Sequence, residues 1–346
     1  MESDLVDIAR LAAWMDEQGL EQGPIQDLSP LIGGSQNIIV SFRRGGRPFV
    51  LRRPPRHPRM DGNETMRREA RVLGALAQTS VPHPRLIAAC PDSGVLGAAF
   101  YLMEQIEGFN PANGLPVLHA ESATMRRDMG LAMADALVTL GQVDYRAVGL
   151  ADFGRIEGFL DRQVARWRSQ LDSYADYAGW PGPGDIPGID RVAAWLDTNR
   201  PRSFKPGIMH GDYHLKNVLF RYEGPQIAAI VDWELTTIGD PLIDLGWLIS
   251  LWHGPAGELY PSSVVVEPWD GFPTPDELVS RYGEHSPRDL SAMPWYVVFA
   301  CYKLGIILEG SHARACGGKA PKATGDRLHA SALSLFRRAL AEIERA

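Results

Sequence analysis

The stretch HGDYHLKNVLF, His210 to Phe220, with IVDWE, Ile230 to Glu234, after it, constrains this chain more than any other part. Asp212 and Asn217 lie five positions apart. Two short apolar runs follow, Val218 to Arg221 and Ile227 to Val231, divided by the turn pair Glu223-Gly224. Such runs read as a β-hairpin. The hairpin ends directly before Asp232, so three side chains bearing hard oxygens fall within one short span. Amide and carboxylate oxygens suit Mg²⁺. A plain capped turn would account for Asp212 and Asn217 alone, but it gives no reason for Asp232.

The rest of the chain sets bounds. Its 346 residues can bury a large core, as one two-lobed unit or two domains. A net charge of −7 disfavours nucleic acid and anionic membranes as partners. No apolar run reaches membrane-spanning length. The N-terminal MESDLVDIARLAAWMDEQ is acidic and amphipathic, unlike a signal peptide. Cys90, Cys301 and Cys316 are too scattered for a disulfide framework or a cysteine zinc site. The expectation is a cytoplasmic protein with free thiols.

Leu5, Ile8, Leu11, Ala12 and Met15 recur at helical spacing. Strand-like runs follow at Ile25 to Leu31, Ile38 to Phe42, Pro48 to Arg53, Leu86 to Cys90 and Ala98 to Met103, with a helix at Glu64 to Gln78. Residues 24 to 104 therefore read as a small sheet with one inserted helix. Beyond the link from Gln105 to Pro116 the pattern turns helical, at 120–142, 155–175, 188–199, 289–312 and 325–345. Thr274-Pro275-Asp276-Glu277 is a helix start. The expected division is 1–104 and 105–346, an α+β bilobal fold with a small antiparallel sheet in the first lobe.

Several flanking residues have two readings. Gly33-Gly34-Ser35, between strands, is either a turn or a loop whose N–H groups meet phosphate oxygens. Arg52 is either a solvated arginine on an edge strand or the partner of Glu69 on the next helix. His210 braces the turn, Asp240 caps a helix, and Asp244, one turn on, braces the central loop. His214 and Lys216 read as loop-surface residues. Glu309 and His312 share a helix face, read as a solvated one, with the rim of a substrate pocket as the alternative.

Taken together, HGDYHLKN, IVDWE and GDPLIDLGW resemble the aminoglycoside phosphotransferase and choline kinase family, small-molecule relatives of protein kinases, over about residues 25 to 345. FVLRRPP and YKLGIILEGSHARACGGKAP resemble its branch of kinase-like domains fused to some acyl-CoA dehydrogenases. The resemblance implies a bilobal kinase-like fold using ATP and Mg²⁺. It implies Asp212 as catalytic base, and Asn217 and Asp232 as metal ligands. Gly33, Gly34, Ser35, Arg52, Glu69, Glu104 and Ile106 would face the nucleotide, with Arg52 where lysine is usual. The acceptor would be a small-molecule hydroxyl, first a hydroxyacyl-CoA and second an aminoglycoside or other amino-sugar. A catalytically silent nucleotide-binding module is the reading from another class. ATP against GTP stays open, as does oligomeric state.

Overall fold

The computed structural model describes residues 6–31, 37–55 and 62–346. Gly33, Gly34 and Ser35 lie outside the described residues, as does Leu5 of the opening helix. The elements run α1 (Ile8–Glu17), β1 (Gln26–Pro30), β2 (Ile38–Arg44), β3 (Arg47–Arg53), α2 (Gly62–Leu76), β4 (Leu86–Cys90) and β5 (Phe100–Met103) in the first lobe. The second lobe holds α3 (Val117–Ala120), α4 (Ala123–Gln142), α5 (Gln163–Asp172), α6 (Ile189–Thr198), β6 (Gly207–Met209), β7 (Val218–Phe220), β8 (Ile227–Ile230), β9 (Thr237–Gly239), α7 (Leu242–Leu251), α8 (Pro275–His285), α9 (Met293–Cys316) and α10 (Lys322–Arg345). This is the expected α+β bilobal architecture.

The first-lobe strands form one antiparallel five-stranded sheet in the order β1-β2-β3-β5-β4. Successive side chains of a strand face opposite sides, and here each side has its own partner. Phe49, Leu51, Phe100 and Leu102 pack with Leu11, Trp14 and Met15 of α1. Asp7 caps that helix by accepting from the Arg10 N–H at 3.0 Å. Arg52 and Tyr101 are cross-strand neighbours, in step with Leu51 and Leu102. They project to the opposite side, where Tyr101 meets Glu69 of α2. A slip of one residue would exchange the two faces, so the hydrophobic pattern also fixes where Arg52 points.

Of the two readings of Arg52, the solvated edge arginine is not met and the pairing with Glu69 is. β3 is the middle strand of the sheet, and Arg52 is only 5% exposed.

In the second lobe α9 is buried along most of its length and packs against α7 and α10. Glu309 on α9 is fully buried, which corrects the solvated-face reading. The helix expected over 155–175 begins at Gln163, because the chain turns at Gly158, φ +57°, and continues as a 3₁₀ turn, Ser173–Asp176. The strands β6 and β9 pair antiparallel and have only three residues each, too short for a period to register. Thr274 and Glu277 form a reciprocal capping box at the start of α8. Among the described residues, no helix is long and apolar enough to cross a membrane.

Candidate active site

The central loop leaves β6 at Met209 and enters His210, which is fully buried. Its Nδ1 accepts the Asp212 N–H at 3.3 Å, so its Nε2 carries the proton and donates to the Val231 carbonyl at 2.9 Å. Burial lowers the imidazole pKa, against the pull of Asp244 and Asp212, and keeps the ring neutral. Gly211 sits at φ +90°, and a Cβ there would fall 2.4 Å from the Leu235 carbonyl oxygen. From the first turn of α7, Asp244 accepts both the His210 N–H at 2.6 Å and the Gly211 N–H at 2.9 Å. Burial pushes its carboxyl up, only partly offset by these two donors and the charge of Lys303 nearby. Asp240 caps as expected, accepting from Leu242 N at 3.2 Å and from the Tyr296 hydroxyl at 2.5 Å.

Asp212 is held on both oxygens. Oδ1 accepts from Trp247 Nε1 at 2.9 Å and lies 3.2 Å from His214 Nε2. Oδ2 accepts from Asn217 Nδ2 at 3.1 Å, and the same amide donates to the Asp212 carbonyl at 2.9 Å. His214 is therefore not a loop-surface residue. Its Nδ1 accepts the Lys216 N–H at 3.1 Å, which leaves Nε2 to donate to Asp212. Lys216 is exposed, as expected. Burial alone would raise the Asp212 carboxyl, but the hydrogen bond from His214, with the charge of Lys303 nearby, holds it well below the usual range. Lys303 donates to the Gly211 carbonyl at 3.3 Å and lies 4.3 Å from the Trp247 ring centre and 5.7 Å from that of Trp167.

The β7–β8 hairpin carries the second half of the site. Val231 N–H donates to the Asn217 carbonyl at 2.9 Å, so Asn217 and Asp232 stand side by side at its open end. Asp232 occupies the left-handed region at φ 69°, ψ 61°, uncommon for a residue with a Cβ. Its Oδ1 accepts from Arg52 Nη2 at 2.5 Å. Arg52 Nε lies 3.1 Å from Glu69 Oε2, and its Nη2 lies 3.6 Å from Glu234 Oε2. Glu69 Oε2 also accepts the Tyr101 hydroxyl at 2.7 Å, and Asn37 Nδ2 donates to Glu234 at 3.1 Å.

Three carboxylates thus share one guanidinium. Burial, with the fields of Asp232 and Glu234, pushes the Glu69 carboxyl up to about 7 despite Arg52. Burial opposes the Arg52 charge, but the carboxylates of Glu69 and Asp232 more than restore it and leave the guanidinium firmly protonated.

The donor set suits a hard divalent cation. Asn217 spends its amide hydrogens on Asp212 and has no partner to Oδ1 among the described residues. Beside it lies the Asp232 carboxylate, in surroundings with more acids than bases. These are oxygen ligands of the kind Mg²⁺ takes.

The structure gathers the residues into two bonded groups, Asp212 with Asn217 and Asp232 with Arg52 and Glu69, linked where the Val231 N–H meets the Asn217 carbonyl. Glu104 and Ile106 stay apart from them at the end of β5, where the Glu104 N–H is already given to the Arg85 carbonyl at 2.9 Å and Ile106 is half-buried. Sequence reasoning gave no role to Trp247, Lys303 or Glu234. Trp247 could have been found, because it sits three residues after Asp244 on the same helix face. Lys303 comes from α9, far along the chain, with no local signal.

Comparison with known proteins agrees with this fold. The model of the phosphotransferase enzyme family (APH) matches residues 27–265. Acyl-CoA dehydrogenase family member 11 of Gallus gallus is 30% identical over 318 residues, covering 87% of this chain and 39% of its own length. Acyl-CoA dehydrogenase family member 10 of Mus musculus is 29% identical over 299 residues, covering 85% of this chain and 27% of its own length. The chain thus spans well under half of these relatives. A solved structure from Ralstonia eutropha JMP134, provisionally assigned as an aminoglycoside phosphotransferase, is 28% identical with a TM-score of 0.78, covering 97% of this chain and 99% of that one. An aminoglycoside phosphotransferase held with AMP-PNP and hygromycin B shares the fold at 15% identity and a TM-score of 0.56, covering 94% of this chain and 98% of its own. With a family model matching from β1 into the segment before α8, and a kinase-like fold to go with it, the chain belongs to the APH phosphotransferase enzyme family.

Proposed function

We propose that this small-molecule phosphotransferase moves the γ-phosphoryl group of ATP to a hydroxyl, and that the hydroxyl belongs to a hydroxyacyl-CoA. The observation that carries the phosphotransfer reading is the clamped Asp212 carboxylate beside Asn217 and Asp232. In this reading residues 1–104 and 105–346 are two lobes with the nucleotide between them.

Asp212 accepts a hydrogen bond from the acceptor hydroxyl and aims its oxygen at the γ-phosphorus. The new P–O bond forms as the bond to ADP breaks, and the hydroxyl proton passes to Asp212. Because this carboxyl is held strongly acidic, it is a positioner first and takes the proton late. That suits a loose transition state, which asks for alignment more than for a strong base. Asn217 Oδ1 and the Asp232 carboxylate would hold Mg²⁺, which when bound neutralises charge on the phosphate oxygens. Arg52, fixed by Glu69, would meet the phosphates, together with the backbone at Gly33, Gly34 and Ser35. Glu104 and Ile106 would border the base.

Two observations favour the CoA thioester. The sequence relatives are named as acyl-CoA dehydrogenase family members. Beside the Asp212 loop stand cations and an indole, with Lys303 and Arg166 lying 5.7 and 5.5 Å from the Trp167 ring centre. A polycationic aminoglycoside would call for acids there instead.

The test is a product screen by mass with ATP, Mg²⁺ and panels of hydroxyacyl-CoAs, aminoglycosides and amino-alcohols. A phosphorylated hydroxyacyl-CoA is expected, with Asp212→Asn losing ~10²–10⁴-fold in turnover while still binding ATP. Phosphorylated aminoglycoside alone would overturn the acceptor. Absence of any product, or an unimpaired Asp212→Asn, would overturn the reaction and favour a silent nucleotide-binding module.

A further inference from the structure

Away from the Asp212 network, α9 and α10 bring together a second chemically distinctive group. Glu309, His312 and His329 offer ligand atoms that all lie within 4.8 Å of one another. Glu309 is fully buried. Its Oε1 accepts from Trp180 Nε1 at 2.7 Å, and its Oε2 lies 2.7 Å from His329 Nδ1. The two imidazoles stack with ring centres 4.3 Å apart and planes 27° from parallel. His312 Nδ1 is buried with no hydrogen-bond partner among the described residues, and Nε2 lies 3.6 Å from Cys316 Sγ.

From this arrangement we infer a binding site for one transition-metal cation of the zinc class, with Glu309, His312 and His329 as its protein ligands. One carboxylate and two imidazoles form a mixed oxygen and nitrogen set that suits zinc better than Mg²⁺ or Ca²⁺, which prefer oxygen alone. The helical spacing serves the purpose: Glu309 and His312 are three apart and share a face of α9, while His329 arrives from the neighbouring helix.

A His329–Glu309 hydrogen bond by itself is the simpler account. It leaves His312 stacked against a second imidazole with a buried nitrogen unpaired, which is costly. A cation at the centre gives all three groups a partner. The Trp180 N–H then holds the carboxylate in place from behind, the kind of outer contact that orients a metal ligand. Bound there, the cation would tie α9 to α10 and stabilise the folded chain by mass action.

The full-length chain, stripped of metal and kept in excess Mg²⁺ so that cleft carboxylates are covered, is titrated with Zn²⁺ by calorimetry. It is then loaded with Co²⁺ for visible spectroscopy. One equivalent of Zn²⁺ is expected, with a rise in melting temperature and intense Co²⁺ bands of four-coordinate nitrogen-containing ligation. His312→Ala/His329→Ala should weaken Zn²⁺ binding by more than the ~10–100-fold that an outer contact to a ligand contributes, and should abolish the thermal shift. These side chains are less buried than Glu309, so the double variant is a milder change than replacing the acid. If it does not fold, the Co²⁺ spectrum of the unaltered chain decides. No Zn²⁺ uptake, unchanged uptake by a folded double variant, or a weak six-coordinate oxygen-type Co²⁺ spectrum would each overturn the site.

Discussion

Arg52 carries one positive charge into a pocket that holds Glu69, Asp232 and Glu234. Removing it strands the buried Glu69 beside two partly exposed acids, so Arg52→Met should cost roughly 3–5 kcal/mol in denaturant unfolding. Arg52→Lys should recover part of that loss. It keeps the charge but not the planar fork that reaches Glu69 and Asp232 together. The same pocket sets a pH dependence. The Glu69 carboxyl is raised from 4.5 to about 7, so the folded chain binds more protons than the unfolded one between those values. Its contribution to stability is complete below pH 4.5 and is lost as pH rises through about 7. Nucleotide-free Glu69→Gln should therefore show a flatter stability profile across that window, and an unchanged slope would place the titration elsewhere.

The elements bind this chemistry to particular backbone shapes. The turn between β6 and Asp212 needs both a positive φ and the absence of a Cβ at Gly211, where the Leu235 carbonyl leaves no room. Gly211→Ala should lower stability by about 1–3 kcal/mol and displace Asp212, so that turnover falls further than nucleotide affinity. Much of this level was legible before any coordinates. The hairpin announced itself by two β-rich runs around Glu223-Gly224, and α8 by its cap. Asp244 was readable as a brace because an acid in a first turn beside a loop has N–H groups to serve. Less was visible where the cause lies far along the chain. Arg52 could be drawn equally well as solvated or paired, since which strand occupies the middle of a sheet is a tertiary fact. His214 passed for a surface residue because nothing local says that its imidazole turns back onto Asp212. Glu309 looked solvated because its burial depends on Trp180 and His329.

Across the whole molecule the lobes meet through the apolar face of α2 and through polar contacts. Arg68 of α2 donates to the Phe153 and Thr236 carbonyls, and Arg52 of the sheet binds Asp232 of the hairpin. In the proposed reading neither lobe holds the complete set of groups for nucleotide and metal, so Mg²⁺ and ATP should tighten each other's binding in calorimetry. Asp232→Gly should remove that coupling. The same substitution exposes what the left-handed backbone at Asp232 implies. A side chain is kept at φ 69° where glycine would sit without strain. Glycine there relieves the backbone by on the order of 1 kcal/mol but takes from buried Arg52 its 2.5 Å partner, so the unfolding free energy should fall while transfer is silenced. The strained backbone at the hairpin's end is then held in place by the same charge pair that makes the residue useful. A selection for heat resistance alone would be expected to keep it.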